Sequence, residues 1–235
     1  MPRMSTLGAS AEILPHAGRA GVRSIARAVL PPATAIVLIA LALLVLFTPP
    51  WVHFAIGASG GAGWAPSPVV AYELSDRTIA ELLLGPGTFA ISGPDGAALY
   101  TPEEAGHLRD VRLVLFAFLA LALASAALVG WSLLRHRAEP ATWRALARGG
   151  AALSVGLLVI GITAAVAWGL AFELFHRLLF PGGNWSFAET SNLVRLYPVG
   201  FWQLSAAGLG GLGIAGGTLA WLVGRRRARA LEAGR

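Results

Sequence analysis

Four apolar runs, each long enough to cross a bilayer and none carrying a charge at its middle, decide what this chain can fold into. The first lies at 31–48 with AIVLIALALLVLF at its heart, and its 18 residues rise ~27 Å as a helix, just enough to span hydrocarbon. The others lie at 111–134, 149–172 and 199–223, ample for tilted helices. Inside a membrane, backbone N–H and C=O groups find no water, so such runs become helices or the strands of a closed barrel, and barrel strands alternate in polarity. These runs do not alternate. The predicted fold is all-α, a four-transmembrane-helix bundle.

Composition agrees: 56% of residues are hydrophobic and only 13% charged, too few polar groups to clothe a water-soluble globule of 235 residues. Cysteine is absent, which removes disulfides, thiol nucleophiles and thiolate metal sites. The net charge of +6 would suggest nucleic acid in a soluble chain, but the charges sort by side of the membrane. All 18 basic residues are Arg; 13 of them fall before the first run, between the second and third, or after the fourth. Nine of the 12 acids fall in the remaining loops. The positive-inside rule then puts both termini in the cytoplasm and loops 49–110 and 173–198 outside. Insertion and anionic lipid account for the basic side, so no nucleic-acid partner is expected.

The chain thus divides into a basic cytoplasmic leader at 1–30, one membrane domain at 31–224 and a basic tail at 225–235, in the plasma membrane. The leader is too long for a cleaved signal peptide, which makes the first run a retained anchor. Trp51, Trp64, Trp185 and Trp202 sit near the outer interface, where aromatic residues anchor. The fourth span carries Ala206, Gly210, Gly213, Gly217, Ala220 and Gly224 at steps of four and three, a smooth stripe that lets another helix approach closely. No internal repeat and no mid-span charge points to transport.

The outer loops hold the polar chemistry. In the first, Ser75-Asp76-Arg77-Thr78 predicts the start of a short amphipathic helix that Gly85-Pro86-Gly87 ends, followed by a turn at Ser92–Gly96. Thr101-Pro102-Glu103-Glu104 is a capping box with proline at the first helical position, so the second span's helix begins about two turns before the hydrocarbon. On it His107 has Glu103 four residues before and Asp110 three after, carboxylates that share its face and can orient the ring and raise its basicity. His176 lies at the outer end of the next span, and His53 is also outside. In the second loop, Gly182 and Gly183 permit close backbone approach, while Asn184, Ser186 and Arg195 can donate hydrogen bonds.

These residues resemble a family: the small integral membrane proteins that include the lipoprotein intramolecular transacylase. The resemblance rests on the four-helix layout, on Tyr100-Thr101-Pro102-Glu103-Glu104 with His107-Leu108-Arg109-Asp110-Val111-Arg112, and on Phe175-His176, Phe180, Asn184-Trp185-Ser186-Phe187 and Leu193-Val194-Arg195-Leu196-Tyr197-Pro198 with Phe201-Trp202. It implies a lipoprotein substrate whose N-terminal Cys carries a diacylglyceryl group, the sn-2 acyl chain passing to the Cys α-amino group. That ester aminolysis needs a base, a stabilised oxyanion and a proton for the leaving alkoxide, but no cofactor. His107 would be the base, supported by Asp110 or Glu103, and His176 the oxyanion donor or acid, or the two reversed. Glu103, Asn184, Trp185, Arg195 and Tyr197 would bind substrate. Two other readings stand beside this one. One is a metal-dependent lipid hydrolase using His107, Asp110 and His176, with His53 as an optional further ligand. The other is a non-enzymatic four-span scaffold whose outer loops bind a partner. The sequence does not state the oligomeric state.

Overall fold

The structure is a computed structural model that describes residues 16–234. Of the basic leader, residues 1–15 lie outside the described residues, and 16–30 form the first turns of a helix. Eight helices follow in order: α1 (His16–Leu46), α2 (Pro49–Ala58), α3 (Pro68–Leu83), α4 (Pro102–His136), α5 (Pro140–Val166), α6 (Trp168–Leu179), α7 (Asn192–Leu196) and α8 (Val199–Ala233). Four are long and apolar enough to cross a membrane: Ala28–Leu46 within α1, then α4, α5 and α8. Alternating in direction, they leave α2, α3, α6, α7 and the loops between them at one end of the bundle, a crown above the membrane.

The expected third span, 149–172, is divided. Helix α5 starts earlier, at Pro140, and stops at Val166, where Ala167 leaves helical geometry with φ −134° and ψ 57°. The apolar run continues past the break because α6 is amphipathic, with Leu170, Leu174, Phe175 and Leu178 exposed on one face as a helix lying at an interface requires. Helix α3 also begins earlier than the sequence signals suggested. Ser67 caps it, its hydroxyl accepting from the Val70 N–H, and Pro68 takes the first position. The basic tail is no separate segment: α8 runs through it to Ala233.

Within the bundle, α5 and α8 pack most extensively. The small-residue stripe is the reason for much of its length. A Cβ at Gly217 would lie 2.6 Å from the Gly150 carbonyl oxygen of α5, and one at Gly224 would lie 2.7 Å from the Trp143 carbonyl oxygen. Ser154 Oγ donates to the Ile214 carbonyl oxygen at 3.1 Å across the same contact. Gly149 and Gly150 divide the labour, the first meeting Pro31 of α1 and the second meeting α8. Gly210 belongs to the sequence pattern yet faces open space.

The conventional hydrophobic core is in the crown. Val52 and Ile56 of α2, Ala71 and Leu74 of α3, Phe89, Leu99 and Tyr100 of the connecting loop, Leu108 of α4, Leu196 of α7 and Phe201 of α8 form one buried cluster. Two polar devices fix the loops around it. Glu81 Oε2 accepts from the N–H groups of Gly87 and Thr88 at 3.0 Å and of Phe89 at 3.3 Å, which holds Phe89 at a φ of 54° that a bulky side chain rarely adopts. Arg112 closes the end of α3 by donating to the carbonyl oxygens of Glu81 and Leu82.

The second device is Glu104. The capping box forms as expected, Thr101 Oγ1 accepting from the Glu104 N–H and Glu104 Oε2 accepting from the Thr101 N–H at 2.7 Å. The same carboxylate then reaches a second segment: Oε1 accepts from Ser191 Oγ and from the Leu193 N–H at 3.2 Å. Asn192 Nδ2 adds a bond to the Leu99 carbonyl oxygen at 2.9 Å. Glu104 is 2% exposed, so its hydrogen bonds are made in a medium where leaving them unmade is costly.

Two stability measurements check this account, both by thermal unfolding in detergent. Gly217→Leu overfills the α5–α8 contact and costs about 1–3 kcal/mol, while Gly210→Leu is near neutral. Glu104→Ala strands the N–H groups of Thr101 and Leu193 and costs on the order of 1–3 kcal/mol, and Glu104→Gln, which keeps one carbonyl oxygen, costs less.

Candidate active site

His107 is placed by its helix. The capping box sets where α4 begins, and His107 falls one turn after Glu104's first loop contacts, on the buried side of the crown at 7% exposure. His176 is placed by α6, whose amphipathic face turns the lipid-facing apolar side chains outward and leaves this imidazole inward at 8% exposure. The two rings meet with centroids 6.2 Å apart, close enough for one bound group to hydrogen-bond with both. The convergence of the two outer helix ends, which the sequence reading required, is present.

Aromatic rings enclose the pair. Phe180 stands edge-on to His107 at 4.9 Å and lies 5.8 Å from His176. Phe187 is 5.7 Å from His107. On the other side His176 touches Phe172 at 4.0 Å, Trp185 at 4.9 Å and Phe175 at 5.2 Å.

The hydrogen-bond states of the two imidazoles differ. His176 Nδ1 lies 2.8 Å from the Phe172 carbonyl oxygen, an acceptor only, so Nδ1 carries the proton and Nε2 of the neutral ring presents a lone pair. Burial lowers the pKa of His176 from the ordinary 6.5, with the Phe172 carbonyl opposing in part. His107 Nδ1 is buried with no hydrogen-bond partner among the described residues. A buried polar atom without a partner is costly, and one on a ring beside a second histidine fits a site that a ligand completes.

Of the other residues singled out from sequence, Trp185 packs on His176 as described. Asp110 does not hydrogen-bond to His107: its Oδ2 accepts from Asn184 Nδ2 at 2.6 Å, tying the second loop to α4. Glu103 and Arg195 are exposed at the crown surface. Tyr197 is in the core cluster, its hydroxyl 3.0 Å from Ser75 Oγ, and burial pushes its phenol up to about 12. Tyr100, bonded to Thr78 at 2.7 Å, is likewise raised by burial. Neither phenol titrates near neutral pH. His53 pairs with Asp76 at 2.9 Å and stacks on Tyr72. Among the described residues no three His, Asp or Glu side chains gather as a metal site needs, so the ligand set of the hydrolase reading is not assembled. Gly182 and Gly183 face open space; Gly183 is needed for its φ of 77°, not for close approach.

Sequence reasoning did not assign Phe172, Phe175, Phe180 or Phe187 as enclosing groups, nor Glu104 as an anchor between loops. Phe172 and Phe180 are four residues before and after His176, on its helical face, a spacing that the sequence does carry. Glu104 was legible as a cap, but its second role depends on a segment 87 residues away.

Comparison with known proteins places this geometry. An uncharacterized protein of Aquifex aeolicus is 29% identical over 109 residues, 46% of this chain and 48% of that relative. The match therefore spans about half the length of the curated relative. Three solved structures of the membrane integral lipoprotein intramolecular transacylase Lit from Bacillus cereus share the fold at 18% identity. One has a TM-score of 0.69 and covers 91% of this chain and 99% of its own. A variant with a histidine replaced by arginine gives 0.72 with 93% and 97% covered, and one with a histidine replaced by alanine gives 0.71 with 92% and 98%. The segment 88–202, which contains both enclosed histidines, the aromatic rings around them and both loop anchors, matches the family described as lipoprotein intramolecular transacylase Lit. Through that segment the chain is similar to the lipoprotein intramolecular transacylase Lit family, whose fold the whole bundle shares.

Proposed function

We propose that this multi-pass membrane protein, both termini in the cytoplasm, transfers the sn-2 acyl chain of a lipoprotein's diacylglyceryl group to the α-amino group of its N-terminal Cys. The product is an N-acylated lyso-lipoprotein. The observation that carries this reading is the pair of half-dry imidazoles 6.2 Å apart, one with its tautomer fixed and one with an unpartnered buried nitrogen. The similarity of residues 88–202 to the family suggests the substrate class.

The two hydrogen-bond states suggest a division of roles, the reverse of the first assignment read from sequence. His176 presents the Nε2 lone pair and is the general base: it takes a proton as the neutral amine attacks the ester carbonyl carbon. Its imidazolium then returns that proton to the departing sn-2 oxygen, forming the alcohol as the C–O bond breaks. His107 donates an N–H to the tetrahedral oxyanion and stays neutral throughout. Keeping both rings uncharged in the resting state is what their apolar surroundings favour. An α-amino group of pKa ~8 is within reach of such a base. Ester and amine belong to one molecule, so the bound geometry contributes much of the rate through orientation.

Three results test the proposal. In cells lacking their own lipoprotein N-acylation, expression of the protein yields an N-acyl lyso reporter lipoprotein by mass spectrometry; a reporter left in the diacyl form with the protein folded in the membrane would sink the reading. His176→Ala lowers turnover about 10²–10⁴-fold and His107→Ala about 10²–10³-fold. His107→Gln, which keeps an N–H donor, recovers part of that loss, and His176→Gln does not; equal behaviour of the two Gln variants would refute the division of roles. Third, a histidine-labelled NMR titration places His176 below 6.5. In that window the unfolded chain binds the proton and the folded one does not, so stability falls as pH drops through it, and His176→Gln removes this part of the acid dependence.

A further inference from the structure

The two histidines can serve water as readily as an amine. Attack by either on the ester carbonyl carbon breaks the same C–O bond and sends a proton to the same sn-2 oxygen. Transfer forms an N–C bond and an amide; hydrolysis forms an O–C bond from water and releases a free fatty acid, which ionises. A membrane-surface site built for transfer therefore has to keep the solvent away from the base.

The rings around the pair are arranged to do this. Phe180 is 6% exposed and packs against both imidazoles. It is fixed at the end of α6, its N–H bonded to the His176 carbonyl oxygen at 2.7 Å. Trp185 and Phe187, both half-buried, pack on the pair from the second loop, one on each histidine. That loop is pinned to α4 on both flanks of His107, by Asn184 to Asp110 and by Ser191 to Glu104. The wall thus moves with the helix that carries His107. On the side of the oxyanion donor, His107 Nδ1 has essentially no solvent-accessible surface. None of the rings offers a hydrogen bond that would hold an attacking water, apart from the Trp185 indole N–H, which is a donor only.

We infer that this aromatic wall, and Phe180 in particular, selects the acyl acceptor, excluding water so that the substrate's amine takes the acyl chain. The inference rests on the transacylase reading above and adds its specificity determinant: the histidines supply the rate, and Phe180 and Phe187 supply the partition between amide and acid. Asp110–Asn184 and Glu104–Ser191 act on that partition only by holding the wall in place.

The experiment uses the purified full chain in phospholipid vesicles with a synthetic diacylglyceryl-Cys peptide in ¹⁸O water. It measures N-acyl peptide and free fatty acid together by mass spectrometry. Wild type gives N-acyl peptide with little fatty acid. Phe180→Ala and Phe187→Ala raise the ratio of ¹⁸O-labelled fatty acid to N-acyl peptide on the order of tenfold while ester cleavage as a whole persists, and Phe180→Leu, which refills the space with apolar volume, returns the ratio towards wild type. A ratio unchanged in both alanine variants overturns the inference, whether total cleavage falls or not. If Phe180→Ala does not fold, the ratio in Phe187→Ala decides alone. A wild type that cleaves no ester, or makes acid and no amide, overturns the transacylase reading itself and is distinguished by that result.

Discussion

The carboxylate of Glu104 joins two parts of the chain that the membrane alone would leave independent. One oxygen closes the first turn of α4 and so sets the helical phase at which His107 emerges. The other holds Ser191 and Leu193, and with them the loop whose rings enclose the histidines. Because the group is buried, each of these bonds is made where water offers no substitute, which makes the junction specific as well as stable. The second tie, Asp110 to Asn184, lies on the other side of His107 and is exposed, so it contributes position more than energy.

The protein is built for two solvents at once. Between the membrane helices, lipid is as apolar as leucine and gives no reason for apolar side chains to seek each other. Association there falls to glycines that bring backbones together, Gly217 against Gly150 and Gly224 against Trp143. In the crown water is the reference, and an ordinary buried cluster forms from six separate segments. The candidate site sits where the two regimes meet, between the first turns of α4 and the amphipathic α6. That position gives the imidazoles a dry surrounding, which favours their neutral forms.

Particular residues show how far the sequence could be read. The Thr101–Glu104 box was legible because a helix N-terminus is a local problem with a local solution. The pairing of His107 with His176 was legible only in part: both lie at helix ends on the same side, yet nothing local says that the ends meet. Asp110 shows both sides: helical spacing puts it near enough to His107 for its charge to act on the ring, and only the fold adds the hydrogen bond it accepts from Asn184 of the other loop. Tyr197 is a second case, a polar aromatic near the site in sequence that Ser75 draws into the core. The break at Ala167 escaped because hydropathy reports how apolar a stretch is and not which way its backbone runs.

The sequence by itself determined the four crossings, the all-α class and the start of α4, because apolar length, charge sorting and a capping box are properties of neighbouring residues. Only the tertiary structure decided which nitrogen of His176 carries the proton, which residues Asp110 and Glu104 hold and which rings pack on the two histidines. Those depend on contacts between segments tens of residues apart, and a hydrogen bond or a ring contact is settled within a few ångströms that the linear pattern does not encode.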